Sequence, residues 1–441
     1  MTRESIVSIV LKPSLIAIVG LTPLLATNGD NLIALGIAQQ AMGGTGIAHF
    51  TAGASATGNP ALITQSVGGE FTFGGTFLSP EVDVQTQNTG GLNDLSASSS
   101  AKHNVIPYVA LTHNLKNGFS VGGSIFGIAG MGTNWTQGDG AIGDSSIGDV
   151  GLYSAKTNLT LLKMSAPIAY RKDAWSVGLA PVLLFGTLNL ALNVPDRNAN
   201  FDPLSTSHPV DNGISQDVGY GYELGTTYQF KDAGITLGVV YHSAITMKYD
   251  NQLSAISREF GYGSAGTNFN IYSDTLEQPA EIGFGIDWIY GDVSLSADFK
   301  NIQWSDATGY KDFNWQNQNV FALGGEYRIE ALSLRAGYNY AKNPIQISND
   351  ATPINANLPI AYQSTNGDTI NTFNHVMFPA ISDHHYTFGA GYQFTHSLSS
   401  DFAVVYATSP DVTASAKTVG LGDVTVSNNQ LTVSVGLNIH F

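Results

Sequence analysis

From Val67 to Phe441, apolar residues return at every second position in segment after segment. Tyr220, Tyr222, Leu224, Thr226, Tyr228 and Phe230 alternate with Gly221, Glu223, Gly225, Thr227 and Gln229. Ile282, Phe284, Ile286, Trp288 and Tyr290 alternate with Glu281, Gly283, Gly285 and Asp287, and Val293, Leu295, Ala297 and Phe299 with Ser294, Ser296, Asp298 and Lys300. Successive side chains of a strand point to opposite faces, so each segment has one apolar and one polar face. The last one, Leu431 to Phe441, keeps the rhythm to the terminus and ends on an aromatic residue. A water-soluble sheet rarely leaves so apolar an edge strand, whereas the closing strand of a membrane barrel turns that face to lipid. The rhythm predicts strands near 67–85, 103–114, 118–128, 153–171, 174–190, 214–230, 233–249, 272–290, 292–304, 316–329, 331–342, 374–396, 399–410 and 427–441. That is about fourteen strands, an even number as single-chain bacterial barrels require.

The connections alternate in length. Lys116-Asn117, Lys172-Asp173, Lys231-Asp232, Gly291, Glu330 and His396-Ser397 are short; 86–102, 129–152, 191–213, 250–271, 305–315, 343–373 and 411–426 are long. Short periplasmic turns opposite long extracellular loops are the pattern of an outer-membrane barrel. The expected fold is therefore all-β, a transmembrane antiparallel barrel, with charges on the luminal face. Trp175 to Phe185 is apolar on both faces in part, which reads as a stretch of apolar lumen.

Before the rhythm starts, residues 27–66 have no period of two and carry Gly36, Gly43, Gly44, Gly46, Gly53 and Gly58. Leu32 to Met42 suits a short helix ended by the Gly cluster. So small a stretch cannot bury a core of its own and must pack inside something larger, as an N-terminal plug. Residues 1–26, with Arg3, Lys12, the apolar run Ser14–Leu25 and Ala26, read as a signal peptide cleaved near Ala26. The barrel is then 67–441.

Composition agrees. Charged residues make up 12% of the chain, Gly numbers 49 and mean hydropathy is +0.03. After the N-terminus there is no apolar run of about 20 residues, which excludes a helical membrane protein. A net charge of −16 lacks the basic footprint of a nucleic-acid binder. With no Cys there is no disulfide and no thiol chemistry.

Enzyme chemistry finds little support. His384-His385 beside Asp383 lacks partners at metal-ligand spacing, and no nucleophile elbow occurs. Asp139, Asp144 and Asp149 do not have the spacing of a calcium loop, and Gly43-Gly44-Thr45-Gly46 lacks the strand and Lys of a phosphate loop. No cofactor, metal or catalytic residue is expected. Lys300, Glu326, Arg328 and Arg335 fall on luminal faces near Asp298. They read either as a charge network across strands or, for Arg328 or Arg335, as contacts to a ligand carboxylate.

Three stretches resemble the FadL/OmpP1/TodX family of outer-membrane transporters for long-chain fatty acids and other hydrophobic molecules. The first is ALGIAQQAMGGTGIAHF at 34–50, leading to Asn59-Pro60-Ala61. The second runs from Gln278 to Pro344, with Pro279-Ala280, Trp304-Ser305, Phe313-Asn314-Trp315, Leu323-Gly324-Gly325-Glu326-Tyr327 and Arg335-Ala336-Gly337-Tyr338. The third is Phe378-Pro379-Ala380, then Tyr386-Thr387-Phe388-Gly389, and the terminus at Phe441. The resemblance implies a fourteen-stranded barrel closed by an N-terminal hatch. Ligand enters a hydrophobic groove among the outer loops, reaches a pocket at the hatch, and leaves sideways where an early strand is kinked.

Leu32, Leu35, Met42 and Phe50 would pack the hatch or line its pocket, together with Lys300, Arg328 and Arg335. Asn59, Pro60 and Ala61 would form the turn where the hatch meets the wall. Groove candidates are Ile142, Ile147, Leu152, Leu190 to Val194, Phe201, Phe260 and Phe269. Expected partners are a long-chain fatty acid or other hydrophobic small molecule, outer-membrane lipid and lipopolysaccharide, with the chain a monomer. A diffusion porin or a surface adhesin are the other function classes this architecture allows.

Overall fold

The computed structural model describes residues 28–87, 94–141, 151–197, 203–259, 272–357 and 363–441. Among the described residues, the period-two tract forms one antiparallel sheet of eighteen strands. Leu95–Ser98, Pro203–Asp211 and Val412–Ala416 only extend hairpins at the outer end, and Lys156–Ser165 with Ile168–Lys172 make one stave, leaving fourteen staves. The sheet closes on itself. Gly69–Gln87 pairs with Gly422–His440 from Glu70 opposite His440 to Gln87 opposite Asp423. Closure joins the first and last strands of the sheet, which is the condition for a sheet to cross hydrocarbon.

The alternation read from the sequence divides outside from inside. Tyr220, Tyr222, Leu224, Phe284, Ile286, Trp288, Leu295, Leu431 and Val435 are exposed on the outer surface, while Glu223, Asp287, Asp298, Thr432 and Ser434 are buried. Residues 28–66 run inside this wall as a short helix, Ile37–Ala41, and two 3₁₀ segments, Gly53–Thr57 and Pro60–Gln65. Their side chains are almost all buried.

Four strand expectations need correction. The stretch 153–171 starts at Lys156 and breaks at Ala166-Pro167, where proline removes a ladder donor. The ends of 233–249 and 272–290 leave the barrel: Ile245–Lys248 pairs with Thr275–Gln278 as a separate two-stranded ribbon, bounded by Ser243-Ala244 and Pro279-Ala280. The strand expected over 374–396 begins only at His384; before it, Asn366–Thr372 is an α-helix and Phe373–Met377 a π-turn. The loop expected over 250–271 carries a helix, Leu253–Glu259.

Candidate functional site

The N-terminal segment is held by backbone-to-wall hydrogen bonds. Gly46 and Ile47 N–H donate to Asp298 Oδ2 at 2.7 and 3.0 Å, so the glycine-rich turn grips a carboxylate of the wall. Thr387 Oγ1 donates to Ala41 O and accepts from Gly43 N, both at 2.9 Å. Asn339 Nδ2 reaches Gly43 O at 3.0 Å. Gly337 lies so close to Met42-Gly43 that a Cβ there would collide with the Gly43 amide. Asn59 caps the Pro60–Gln65 turn, accepting from Ala61 N at 3.0 Å and donating to Ile47 O at 2.8 Å. Its carboxamide fills the space over Gly225, where any larger residue would strike it.

Above this floor lies an inner cavity, part of it open to solvent. Leu32, Leu35, Ile47, Val182, Leu184 and Ile302 give it apolar walls. Lys163, Glu223, His242, Glu281, Asp298 and Lys300 line it too. Lys163 Nζ is 2.6 Å from Glu223 Oε1, and Lys300 Nζ is 3.8 Å from Glu281 Oε1. His242 stands between the two carboxylates, 4.0 Å from Glu223 and 3.9 Å from Glu281.

A second, almost wholly apolar pocket lies among the long loops, lined by Tyr153, Leu192, Leu253, Ile256, Phe313, Phe373 and Met377. The π-turn forms one side of it. Trp135 Nε1 and Thr157 Oγ1 donate to Val376 O and Met377 O, both at 2.7 Å, holding a turn of the rare kind that recurs at functional sites. His375 in the same turn is buried, which pushes its imidazole down to about 4 and keeps it neutral.

Phe313 and Phe373 continue into a smaller cavity shared with Met131, Tyr310 and Trp315. There Tyr310 OH donates to Asp30 Oδ2, as does Gln278 Nε2 at 3.1 Å. Gln278 also lines the inner cavity. One buried carboxylate and its two donors thus separate the outer apolar space from the inner one.

The wall is interrupted beside this point. Asn104–Asn114 and Phe119–Met131 pair only as far as Tyr108 opposite Phe126. On its other side, Phe119–Met131 has a register shift between Gly127 and Ala129. Its free edge is taken by the N-terminal segment: Asn31 opposes Ala129, Leu32 N donates to Ile128 O at 3.1 Å, and Gly130 N to Asp30 O at 3.2 Å. The Leu32 side chain packs on Leu78 and Ile106 at the gap and also lines the inner cavity.

Burial raises the Asp30 carboxyl from 3.8 to about 6, against the lowering effect of Tyr310 and Gln278. The folded state therefore favours protonated Asp30, so docking of residues 30–32 weakens as pH rises from about 4 to about 6 and is level above that. Hydrogen exchange at the Leu32 and Gly130 amides, corrected for intrinsic rates, is expected to be slower at pH 4.5 than at pH 7. Asp30→Asn should remove the difference; equal protection at both pH values in the unaltered chain would contradict it.

Comparison with known proteins agrees with this architecture. The family model described as "Outer membrane protein transport protein (OMPP1/FadL/TodX)" matches residues 30–356. The chain belongs to this family. It is 25% identical over 434 residues to "Outer membrane protein P1" of Haemophilus influenzae, covering 87% of each chain. To the "Long-chain fatty acid transport protein" of Escherichia coli it is 24% identical over 337 residues, covering 65% of this chain and 71% of that one. In fold it resembles a Pseudomonas aeruginosa FadL homologue (TM-score 0.66, 16% identity, 94% of this chain and 100% of that one). The Pseudomonas putida toluene transporter TodX is similar to it as well (TM-score 0.62, 18% identity, 94% and 100%). The protein is thus an outer-membrane transporter of the FadL/TodX kind, built as a closed barrel of fourteen strands, and not an enzyme.

Of the residues singled out from the sequence, this FadL-family chain brings Leu32, Leu35 and Lys300 together at the inner cavity. Met42 is buried against Gly324 and Gly337, and half-buried Phe50 lines none of the three cavities described. Arg328 and Arg335 stay near the short-turn end. Both Nε atoms contact Glu326, at 2.6 and 2.7 Å, and Arg335 Nη1 is 2.6 Å from Asp401. Leu192 lines the outer pocket and buried Leu152 and Leu190 belong to the same apolar cluster, but Ile142, Ile147, Phe201, Phe260 and Phe269 lie outside the described residues. So do Asp144, Asp149 and the signal-peptide stretch. Lys163, Glu223, His242 and Glu281 were not singled out; the available signal was a charge in mid-strand on the luminal face.

Proposed function

We propose that this protein takes up long-chain fatty acids or similar hydrophobic molecules. Cargo settles in the outer pocket around Phe313 and Phe373, passes Tyr310 and Asp30 into the inner cavity, and leaves sideways between the Asn104–Asn114 and Phe119–Met131 strands. Residues 27–66 act as the hatch and 67–441 as the barrel. The observation that carries this reading is the shared lining: Phe313 joins the outer pocket to the smaller cavity, Tyr310 joins that to Asp30, and Leu32 joins the inner cavity to the gap in the wall. An acyl chain is suited to such a path, since each buried methylene contributes about 0.8 kcal/mol and sideways exit keeps the tail out of water. A diffusion porin fits less well, because residues 28–66 fill the lumen that an open pore would need.

Cells lacking the gene should take up less radiolabelled long-chain fatty acid. The intact gene should restore uptake, and one carrying Asn59→Ala with Pro60→Ala should not. Equal uptake in every strain would reject the transport reading.

A further inference from the structure

Residues 28–31 form a closed turn. Asn28 N donates to Asn31 O at 2.9 Å and Asn31 N to Asn28 O at 3.3 Å, so the pair exchanges both backbone hydrogen bonds across Gly29-Asp30. Gly29, the first central residue, has φ +69°, which glycine supplies at this place in two-residue turns.

The tip and the flank of this turn meet different parts of the path. At the tip, the Trp304 ring lies against Gly29 and leaves no room for a side chain, while the Asp30 carboxylate accepts from Tyr310 OH and Gln278 Nε2. Trp304, Tyr310 and Trp315 pack ring to ring there, with centroids 4.6, 4.8 and 5.0 Å apart. The tip thus occupies the point where the outer apolar space meets the inner cavity. On the flank, Asp30 O accepts from Gly130 N and Leu32 N donates to Ile128 O, which fills the break in the wall. Asp30 belongs to both: its carboxylate faces the rings and its carbonyl the strand edge.

A turn closed by its own hydrogen bonds moves most cheaply as a unit. Withdrawing the tip while the flank stays paired would split Asn28 from Asn31 and leave further buried peptide groups unmet, beyond the bonds that any opening must break.

We propose that Asn28–Leu32 is one rigid part closing both the passage from the outer cavities and the break in the wall, positioned by Asp30, so that the inner cavity fills from outside only while the sideways exit is open. This rests on the transport reading above and concerns the order of its steps. Two independent doors would let cargo wait in the inner cavity with the exit shut; a single part forbids that state.

The test uses Asn31→Cys with Ala129→Cys, purified in amphipol and given dodecanoic acid carrying a photoreactive diazirine on its tail. In the oxidised form, adducts are expected on Leu253–Glu259 or Phe373–Met377 at the outer pocket, and none on Val182, Leu184 or Ile302 in the inner cavity. Reduction should bring the inner adducts back. Inner adducts equally strong in the oxidised form, or missing from both forms, overturn the inference and leave transport to be judged by uptake. No adduct at either place in either form removes the transport reading with it. Should the double variant not show the heat-dependent gel shift of a folded barrel, Tyr310→Phe serves, since it takes away one holder of the tip. Hydrogen exchange should then quicken at the Leu32 and Gly130 amides on the flank, while the Gly46 and Ile47 amides, held by Asp298, keep their rates. No change at Leu32 and Gly130, or an equal rise at all four amides, overturns the inference.

Discussion

Cysteines placed at Asn31 and Ala129 and oxidised to a disulfide are expected to bring uptake down to the level of cells lacking the gene, and reduction to restore it. The two residues face each other across an antiparallel bridge whose hydrogen bonds run between their neighbours, Leu32 to Ile128 and Gly130 to Asp30. In such a pair the Cα atoms lie about 4.5 Å apart, within the range a disulfide spans. The chain has no cysteine of its own, so the introduced pair has no competing thiol. The crosslink fixes Asp30–Leu32 to the edge that must be vacated for sideways exit. It touches neither the outer pocket nor the wall's own ladder, so binding of a fluorescent fatty acid at the outer pocket should persist in the oxidised form. Undiminished uptake with the disulfide shown to be formed would place the exit elsewhere.

Arg335→Ala should lower stability by about 3–5 kcal/mol without altering ligand affinity. Arg335 is 8% exposed and lies between Glu326, 4% exposed, and Asp401, 12% exposed. Truncation leaves Asp401 without its cation and Glu326 with only the half-exposed Arg328. Heat-dependent gel shift and urea midpoints read the loss, and adding Glu326→Gln and Asp401→Asn should recover much of it. Arg328→Ala should fall within about 1 kcal/mol of the parent, as outward-reaching ion pairs do. If fatty-acid binding weakened in Arg335→Ala at temperatures where the variant stays folded, the arginine would belong to the ligand path after all.

Two of these behaviours were within reach of the sequence to different degrees. The period of two tells lipid face from lumen face, because a strand has no other way to present its side chains, and Tyr222 outside with Glu223 inside follows from it. The pairing of Glu326 with Arg335 was accessible only once the turn is read as two residues: Glu330-Ala331, not Glu330 alone, sets Ile329 opposite Leu332, and counting back puts those two residues across from each other. Lys163 and Glu223 were not, since the Trp175–Arg197 strand runs between them, Lys163 opposite Leu184 and Glu223 opposite Ala180, and their side chains reach over it to meet at 2.6 Å.

The helical stretch before His384 was hidden for a different reason. Thr372-Phe373-Asn374-His375-Val376-Met377 is rich in aromatic and β-branched residues that suit a strand. What decides its shape is distant: Trp135 and Thr157 take its carbonyls, and Asn374 bonds Phe313 O at 2.9 Å and Trp315 Nε1 at 3.0 Å. The apolar spacing of Leu32 and Leu35 did indicate something to be covered. It carried no sign that the backbone beside Leu32 would complete a wall strand.

That borrowed edge has a cost to operate. On the sideways route proposed above, Asp30–Leu32 must part from this edge, and the carbonyl of Ile128 and the amide of Gly130 then lose their partners. Bare peptide groups against hydrocarbon are penalised by several kcal/mol each, so the parted state is rare and brief unless water or the head of the departing molecule steps in. A cargo bearing a hydroxyl can satisfy those two groups in turn as it slips out; a plain alkane cannot, and should dwell longer inside. On that route the doorway would favour, by its own chemistry, the passenger that can mend it while crossing.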